Sequence, residues 1–203
     1  MSQLICVRHG ESRANVILHQ LPRQEREAVV LEEANPPLSE IGLKQAEELG
    51  VFLADQLREA PKPLRILTSQ LQRTCQTAQP LVDQLQNQEF TLERWSDLNE
   101  KHERVVGVRQ RETLQEFISR VKPVAQKLLA QQWEGTTVLV GHSVFISALI
   151  SILLNPSVEL EDLVYRNPNC AITRFLRDEQ GKVTLLMQGS VEHLSPDIRT
   201  GVD

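Results

Sequence analysis

Three short apolar segments recur along the chain, and each one leads into polar residues and then into a helix-like pattern. They span residues 4–7, 63–67 and 136–140. Apolar runs of this length are typical of strands that are buried on both faces of a parallel sheet. Because the carboxyl ends of parallel strands meet at one edge of the sheet, we expect the polar residues after these strands to share one pocket.

The spacing of apolar residues also predicts the first helices. A helix is expected to begin near Ser12, and Ser39 is expected to cap a second helix over residues 40–56. A third helix is expected to carry Arg73 and to be interrupted at Pro80, because proline lacks the backbone donor that a helix needs.

The second half of the chain continues this alternation and then changes character. Residues 90–93 form a predicted short strand, residues 113–131 a long amphipathic helix, and residues 144–154 an apolar helix. Two final strands, 171–176 and 183–187, are separated by a turn-like segment, which predicts a closing hairpin.

This order of elements predicts an α/β fold, a three-layer α/β/α sandwich with a mostly parallel central sheet and an antiparallel edge strand. At 203 residues the chain is long enough to bury a sizeable core. We therefore expect a single domain over residues 1–203.

Composition and charge narrow the classes of function. Hydrophobic residues make up 40% and charged residues 24% of the chain, as is ordinary for a soluble globular protein. The net charge of -5 argues against a general nucleic-acid surface, which is normally basic. No segment is apolar and long enough to span a bilayer, and the first strand begins too early for a signal peptide. We expect no nucleic-acid or membrane partner, and a cytoplasmic location.

The cysteines point to neither a disulfide framework nor a zinc site. Cys6, Cys75 and Cys170 are odd in number and lack paired spacing. Each is expected to be a buried reduced thiol. The sequence also offers no convincing carboxylate cluster, so neither a metal nor another cofactor is expected.

The residues after the first apolar segment carry the clearest chemical signal. Arg8, His9 and Gly10 follow this segment directly. Arginine offers a planar fork of donors that fits phosphate oxygens, and histidine offers a nucleophile that is largely uncharged near neutral pH. Glycine lets the backbone approach a ligand closely. The combination predicts phosphoryl chemistry on a histidine.

The two other turns supply matching groups. Arg73 lies on the helical stretch after the second strand, and His142 and Ser143 follow the third strand. If the three strands are parallel, Arg8, His9, Arg73 and His142 share one pocket although they lie far apart in the sequence.

Five landmarks follow one another in a recognisable order. They are residues 8–12 with Asn15, residues 37–42 with Gln45 and Ala46, residues 69–78, residues 98–100 and residues 141–143. In this order the chain closely resembles the histidine phosphatase superfamily, also called the phosphoglycerate mutase-like family. The resemblance runs from the first strand to near the C-terminus.

The resemblance implies a role for each central residue. His9 attacks the phosphorus of a phosphomonoester and forms a phosphohistidine, with a backbone carbonyl fixing the tautomer of its ring. Arg8 and Arg73 clamp the phosphate oxygens, and a protonated His142 adds a further donor. Glu100 protonates the leaving alkoxide and then takes a proton from the water that breaks the phosphoenzyme.

The resemblance also implies what surrounds this chemistry. Asn15, Ser143 and backbone amides near the first helix are expected to contact the substrate, since helix N-termini attract anions. The implied partner is a small phosphorylated substrate, the catalysis needs no metal, and the oligomeric state stays open.

The acid has a competitor. The family usually has a glycine four residues after this acid, whereas this chain has Arg104 there and Gly107 further on. Glu103 is therefore a second candidate, although residues 98–99 before Glu100 favour Glu100. The remaining histidines and both tryptophans are expected to lie outside the chemistry, as surface, structural or packing residues: His19, His102, His193, Trp95 and Trp133.

Three functions remain open from the sequence. The leading one is hydrolysis of a small phosphorylated metabolite. The first alternative is a phosphoglycerate mutase with the same phosphohistidine, which residues 98–102 favour. The lack of the long insertion that such mutases carry between the acid and the second histidine disfavours it. A non-catalytic phospho-ligand-binding module is the third, although every residue needed for turnover is present. Residues 20–35 and 101–111 are expected to set specificity, but they match no signature of a particular substrate.

Overall fold

Within the described part of the chain, six strands form one mixed sheet. The computed structural model describes residues 2–21, 35–100, 112–129, 134–155 and 165–201. Most of segment 20–35 and all of segment 101–111, the expected specificity segments, therefore lie outside the described residues. The strands are β1 Ser2–Arg8, β2 Leu64–Thr68, β3 Thr91–Arg94, β4 Thr136–Gly141, β5 Ile172–Arg177 and β6 Val183–Ser190. The helices are α1 Arg13–His19, α2 Glu40–Leu57, α3 Gln72–Gln84, α4 Leu114–Leu129 and α5 Ser143–Leu154, with 3-10 turns at Ser96–Leu98 and Pro196–Ile198.

The four strands β1 to β4 all run in the same direction. β1 pairs with β4, β4 with β2, and β2 with β3, each in parallel register. β5 runs antiparallel to both of its neighbours, β1 and β6. The predicted mostly parallel sheet with an antiparallel edge and a closing hairpin is confirmed, and the three turns of the central strands lie at one edge.

The side chains of β1 alternate between two cores, as the period of a strand requires. Leu4 packs into a buried cluster with Phe117 of α4 and Phe145 of α5. The next residue, Ile5, belongs to a second cluster that includes Leu81 of α3. Helices therefore cover both faces of the sheet, and the sandwich has the three predicted layers.

The predicted interruption at Pro80 is wrong. Helix α3 runs through Pro80 to Gln84. A proline inside a helix costs about 3 kcal/mol, so packing must offset that cost. Leu81 is buried in the core beneath it, and α2 approaches so closely at Gly50 that a Cβ there would lie 2.8 Å from the Pro80 Cβ.

Most other boundaries agree with the sequence to within a few residues. The side chains of Ser12 and Ser39 each accept a hydrogen bond from a backbone amide of the helix that follows, as expected of helix caps. β3 begins one residue later than expected, and α4 is described as far as Leu129. All three cysteines are free, and Cys75 is half-buried rather than buried.

The described ranges contain neither a membrane-crossing helix nor a metal-binding cluster. None of the helices in these ranges combines the length and the apolar character that a membrane crossing requires. The same ranges contain no group of three or more histidine, cysteine, aspartate or glutamate side chains placed to hold a metal ion.

Candidate active site

The two central histidines follow adjacent strands at the same level of the sheet. Arg8, the last residue of β1, pairs in register with Gly141, the last residue of β4. The residue that follows each strand is a histidine, His9 after β1 and His142 after β4. The His9 amide donates to the Gly141 carbonyl at 2.9 Å. The rings of His9 and His142 meet edge to face, with their centroids 5.2 Å apart.

The ring of His9 is held in one neutral tautomer. It is buried, with 4% of its surface exposed, and its Nδ1 lies 2.6 Å from the Gly10 carbonyl. A carbonyl can only accept, so Nδ1 carries the proton and donates. Arg73 Nε donates to His9 Nε2 at 3.3 Å, so Nε2 presents a lone pair. Burial, and then the charges of Arg73 and Arg8, hold the pKa of His9 well below its usual value.

His142 is bound through Nε2 rather than through Nδ1. Its Nε2 lies 2.9 Å from the Ser69 hydroxyl, whereas its buried Nδ1 bonds to none of the described residues. Burial lowers its pKa well below the usual value, and the positive charges of Arg73, Arg8 and Arg120 lower it further. These causes favour a neutral imidazole. The expected protonation would need the negative charge of a bound phosphate.

Ser69 is fixed in turn by a small hydroxyl network. Its hydroxyl lies 2.8 Å from that of Thr74 and accepts from the Leu71 amide at 3.2 Å. The Thr74 hydroxyl also contacts the carbonyls of Ser69 and Leu71, at 3.2 and 2.8 Å. Because Ser69 follows β2 and Thr74 lies on α3, this network ties His142 to the second strand-turn-helix unit.

Two guanidinium groups lie beside the histidines. Arg73 projects from the first turn of α3 and is 8% exposed. Arg8 Nη1 donates to the Asn167 carbonyl at 2.7 Å, and its buried Nε bonds to none of the described residues. Burial lowers the pKa of Arg8 to about 10, and the charge of Glu100 is the first to oppose that shift. Arg8 therefore remains charged near neutral pH, which suits a site for a phosphate dianion.

The turn after β1 is fixed through its own backbone. The Gly10 amide donates to the Thr77 hydroxyl at 2.9 Å, and the Glu11 amide donates to Gln45 Oε1 at 2.8 Å. A Cβ added to Gly42 would collide with the Glu11 carbonyl, so α2 docks directly on the turn. The structure thus gives a physical reason for the second landmark, residues 37–42 with Gln45.

Asn15 lies at this turn, but its oxygen is already engaged. Its Oδ1 accepts from the Ser12 amide at 3.1 Å, which completes a capping box with the Ser12 hydroxyl. The same oxygen accepts from Asn169 Nδ2 at 3.2 Å. Only the amide nitrogen of Asn15 is left to contact a phosphate, and that contact stays a prediction.

Two asparagines near the site were missed by sequence reasoning. Asn167 holds Arg8 through its carbonyl, and Asn169 Nδ2 donates to the His9 carbonyl at 3.2 Å. They flank Pro168 just before β5, and the turn continues into Cys170 with a left-handed φ of 56°. The signal was an Asn-Pro-Asn sequence at a strand start, but asparagine and proline are also common in turns without any function.

Glu100 lies at the N-terminus of α5. Its two carboxylate oxygens accept from the amides of Val144 and Phe145, at 3.2 and 3.1 Å. Ser143, the first residue of this helix, is half-buried, and its carbonyl accepts from the Ser147 hydroxyl at 2.9 Å. The structure thus places Glu100 beside the His142 turn, whereas Glu103 lies outside the described residues.

The described histidines and tryptophan that were expected to lie outside the chemistry make other contacts. His193 stacks on Phe52 of α2 with a centroid distance of 5.2 Å, and burial lowers its pKa to about 4. His19 Nδ1 lies 3.9 Å from the Glu11 carboxylate. Trp95 packs against the core on the α4 side of the sheet. His102 and Trp133 lie outside the described residues.

Solved structures share this fold at low sequence identity. The alpha-ribazole phosphatase from Shigella flexneri is 20% identical, with a TM-score of 0.69 over 93% of this chain and 96% of that chain. A mycobacterial glucosyl-3-phosphoglycerate phosphatase, in complex with VO3, is 20% identical, with a TM-score of 0.67 over 94% and 100%. A phosphoserine phosphatase mutant from Entamoeba histolytica, in complex with phosphoserine, is 22% identical, with a TM-score of 0.67 over 96% and 100%.

The family comparison covers most of the sequence. No curated protein matches the chain significantly. The model of the histidine phosphatase superfamily, branch 1, matches residues 4–104 and 93–189. These ranges include every residue discussed above for the pocket. The chain belongs to the histidine phosphatase superfamily, and the predicted class of enzyme, a histidine phosphatase, is confirmed.

Proposed function

We propose that the protein is a metal-independent phosphomonoester hydrolase that forms a phosphohistidine on His9 and acts on a small phosphorylated metabolite. One observation carries the proposal: the Nδ1 proton of His9 is bound by the Gly10 carbonyl, and its Nε2 lone pair faces Arg73. A neutral imidazole so oriented is an activated nucleophile beside two cations that attract a phosphate. We take residues 1–203 as one domain that contains the whole site.

In the first half-reaction, His9 Nε2 attacks the phosphorus in line and the bond to the ester oxygen breaks. Arg73 Nε must then move its hydrogen bond from His9 Nε2 to a phosphate oxygen, which couples substrate binding to release of the nucleophile. Arg8 Nε and His142 Nδ1, both buried and without a described partner, are available for the other oxygens. Such preorganised donors stabilise the charge that spreads over the phosphoryl oxygens in the transition state.

Proton transfer at the leaving group is assigned to Glu100. Its carboxylate lies at the α5 N-terminus, and its charge acts on Arg8, which supports a position near the phosphate. Glu100 gives a proton to the leaving oxygen, and in the second half-reaction it takes one from the attacking water. The P–N bond to His9 then breaks, inorganic phosphate leaves, and His9 returns to its neutral form.

The substrate is proposed as a small phosphomonoester. The solved relatives are named for alpha-ribazole, glucosyl-3-phosphoglycerate and phosphoserine phosphatase activities, which differ in everything except a phosphoester. The chain shares their fold, and the described residues proposed to bind the substrate are donors for a phosphoryl group rather than for a particular alcohol. A screen of phosphorylated metabolites, with phosphopeptides as a competing class, would identify the substrate.

The test of the mechanism is to trap the phosphoenzyme. Wild-type protein is mixed with a ³²P-labelled phosphomonoester, quenched in alkali within milliseconds, and then examined for labelled protein. We expect label that is stable in base and lost in acid, and no label on the His9→Ala variant. His19→Ala is the matched control and should label normally. Acid-stable label, or label that survives in His9→Ala, would contradict the proposal.

Product analysis separates the hydrolase from its alternatives. With a phosphoglycerate as substrate, a hydrolase releases inorganic phosphate, whereas a mutase returns the phosphoryl group to another hydroxyl. A binding module would neither label nor turn over. The expected result is stoichiometric release of phosphate without isomerised phosphoglycerate.

A further inference from the structure

We propose that Arg120 of α4 is a positioning residue that orients Glu100 for proton transfer. The inference rests on the proposed role of Glu100. Arg120 Nη1 donates to the carbonyls of Asp97 and Asn99, each at 2.8 Å. The Asn99 carbonyl belongs to the peptide group whose nitrogen is that of Glu100. Because a peptide group is planar, holding its oxygen also sets the direction in which the Glu100 backbone leaves it.

The guanidinium is itself fixed on its other edge. Arg120 Nε and Nη2 donate to the two carboxylate oxygens of Glu112, at 2.9 and 2.8 Å. This is a two-point fork that only arginine can form. Four donor contacts therefore define the plane of one guanidinium, with the carboxylate on one side and the two carbonyls on the other.

The surroundings of Arg120 favour a stable orientation. The side chains of Arg120 and Glu112 are 21% and 23% exposed, so water screens their attraction less than at an open surface. The guanidinium carbon lies 5.2 Å from the centre of the fully buried Phe117 ring, which supports it from below. Arg120 is thus anchored to the core as well as to Glu112.

The two residues before Glu100 are held by contacts of their own. Leu98 is fully buried in the cluster that contains Phe117. The Asn99 side chain accepts from the Gln70 amide at 3.3 Å. A 3-10 turn ends at Leu98, and carbonyls at the end of such a turn have no partner within it. Arg120 donates to two carbonyls at this end, those of Asp97 and Asn99. Beyond it, the Glu100 carboxylate reaches the amides of α5.

The chemistry gives this arrangement a specific signature. An alkyl phosphate needs its leaving oxygen protonated, whereas p-nitrophenolate leaves without that help. A loss of Glu100 positioning should therefore slow phosphoenzyme formation from an alkyl phosphate far more than from p-nitrophenyl phosphate. Breakdown of the phosphoenzyme should slow equally for both, because the intermediate is the same.

The experiment measures both half-reactions in single turnovers with glycerol phosphate and p-nitrophenyl phosphate. Arg120→Lys keeps the charge but loses the fork, and Glu112→Gln keeps Arg120 but weakens its anchor. We expect Arg120→Lys to slow transfer from the alkyl ester about 10- to 100-fold, with a change below about threefold for the aryl ester. Glu112→Gln should also slow transfer from the alkyl ester more than from the aryl ester, but by a smaller factor than Arg120→Lys. Lys122→Gln, an exposed change on the same helix, is the control and should resemble wild type.

Each result decides between the two proposals. Glu100→Gln should give the same selectivity as Arg120→Lys, or a larger one. If Glu100→Gln is selective but Arg120→Lys and Glu112→Gln are not, the inference about Arg120 is wrong and the proposed function stands. If Glu100→Gln slows both esters equally, the role of Glu100 is wrong. Equal losses in Arg120→Lys together with a lower melting temperature would show a merely structural role. Should Arg120→Lys not fold, Glu112→Gln alone decides.

Discussion

The turns after β1 and β4 lie side by side and use the same residue type for opposite purposes. Both histidines are buried, and burial together with the neighbouring arginines lowers both pKa values. His9 has its Nδ1 bound by a carbonyl of its own turn, whereas His142 has its Nε2 bound by the hydroxyl of Ser69. Because different ring nitrogens are occupied, His9 keeps Nε2 for the proposed attack on phosphorus, whereas His142 keeps Nδ1 for the proposed contact with a phosphoryl oxygen.

The two turns are also supported differently. The β1 turn is held through backbone groups by side chains from α2, α3 and the segment before β5. The β4 turn leads straight into α5, whose first amides are bound by Glu100. The first arrangement fixes the proposed nucleophile, and the second places the proposed acid next to the second histidine.

Replacing His9 should have the largest effect, because it removes the nitrogen that is proposed to form the phosphoenzyme. We expect His9→Ala to lower kcat by about 10⁴-fold or more without a comparable change in stability. Steady-state hydrolysis of p-nitrophenyl phosphate, together with a melting curve, checks this. Turnover within tenfold of wild type would remove the proposed distinction between the two histidines.

Replacing His142 should be costly but not fatal to the intermediate. His142→Asn removes the donor proposed for the phosphoryl oxygens, and such losses cost about 10²- to 10³-fold in kcat. The variant should still accumulate base-stable label on His9, only more slowly. Rapid-quench measurement of labelling tests this. A variant that carries no label even at long times would show that the phosphoenzyme needs His142 as much as it needs His9.

The close contact between Gly42 and the β1 turn predicts that a larger residue at position 42 lowers the stability of the fold. A methyl group on Gly42 would collide with the Glu11 carbonyl, so Gly42→Ala should destabilise the fold by about 2–3 kcal/mol. Urea denaturation measures this, with the exposed Val51→Ala on the same helix as control. An unchanged midpoint would show that the turn does not depend on this docking.

The Ser69 hydroxyl should affect catalysis through His142. Ser69→Ala removes the partner of His142 Nε2 and lets the ring rotate, for which we expect a fall in kcat of about tenfold, the size of an outer contact that orients a catalytic ring. Labelling of His9 at saturating substrate should remain complete. If the loss matched that of His142→Asn, the hydroxyl would itself contact the reacting group.

The smallest effect is on stability at mild acidity. Folded His9 and His142 stay neutral below the ordinary histidine pKa of about 6.5, whereas the unfolded chain takes up protons there. The free energy of unfolding should therefore fall as pH decreases below about 6.5, by up to about 1.4 kcal/mol per pH unit for each histidine. Urea titrations from pH 7.5 to 5.5 should show a shallower fall for His142→Asn. An equal slope would mean that His142 already carries a proton in the fold.

The sequence predicted the strands and the pocket because their signals are local. An apolar run followed by Arg8 and His9 indicates both a strand and the candidate catalytic residues within a few neighbouring positions. The parallel pairing of β1 with β4 then follows from the alternation of strands and helices. Glu100 was found through the family resemblance, since a lone glutamate in a loop has no distinguishing pattern.

The missed features depend on contacts between distant parts of the chain. Asn167 and Asn169 reach Arg8 and His9 across more than half of the sequence, and no periodicity marks such a pair. Arg120 has the pattern of an ordinary helix arginine until its carbonyl partners are known. Pro80 was misjudged because its local cost is visible in the sequence, whereas the packing that offsets it is not.

The buried amide of Gln45 gives the order of elements a consequence for biosynthesis. Its oxygen accepts from the Glu11 amide, while its nitrogen donates to the Ile198 carbonyl at 2.6 Å and to the Thr200 hydroxyl at 2.9 Å. Because His9 precedes Ile198 and Thr200 in the chain, the contacts of Gln45 that hold its turn cannot all form until the segment around these two residues has been synthesised. During synthesis, His9 therefore exists before its turn is fully held, and the proposed catalytic competence has to await that later segment.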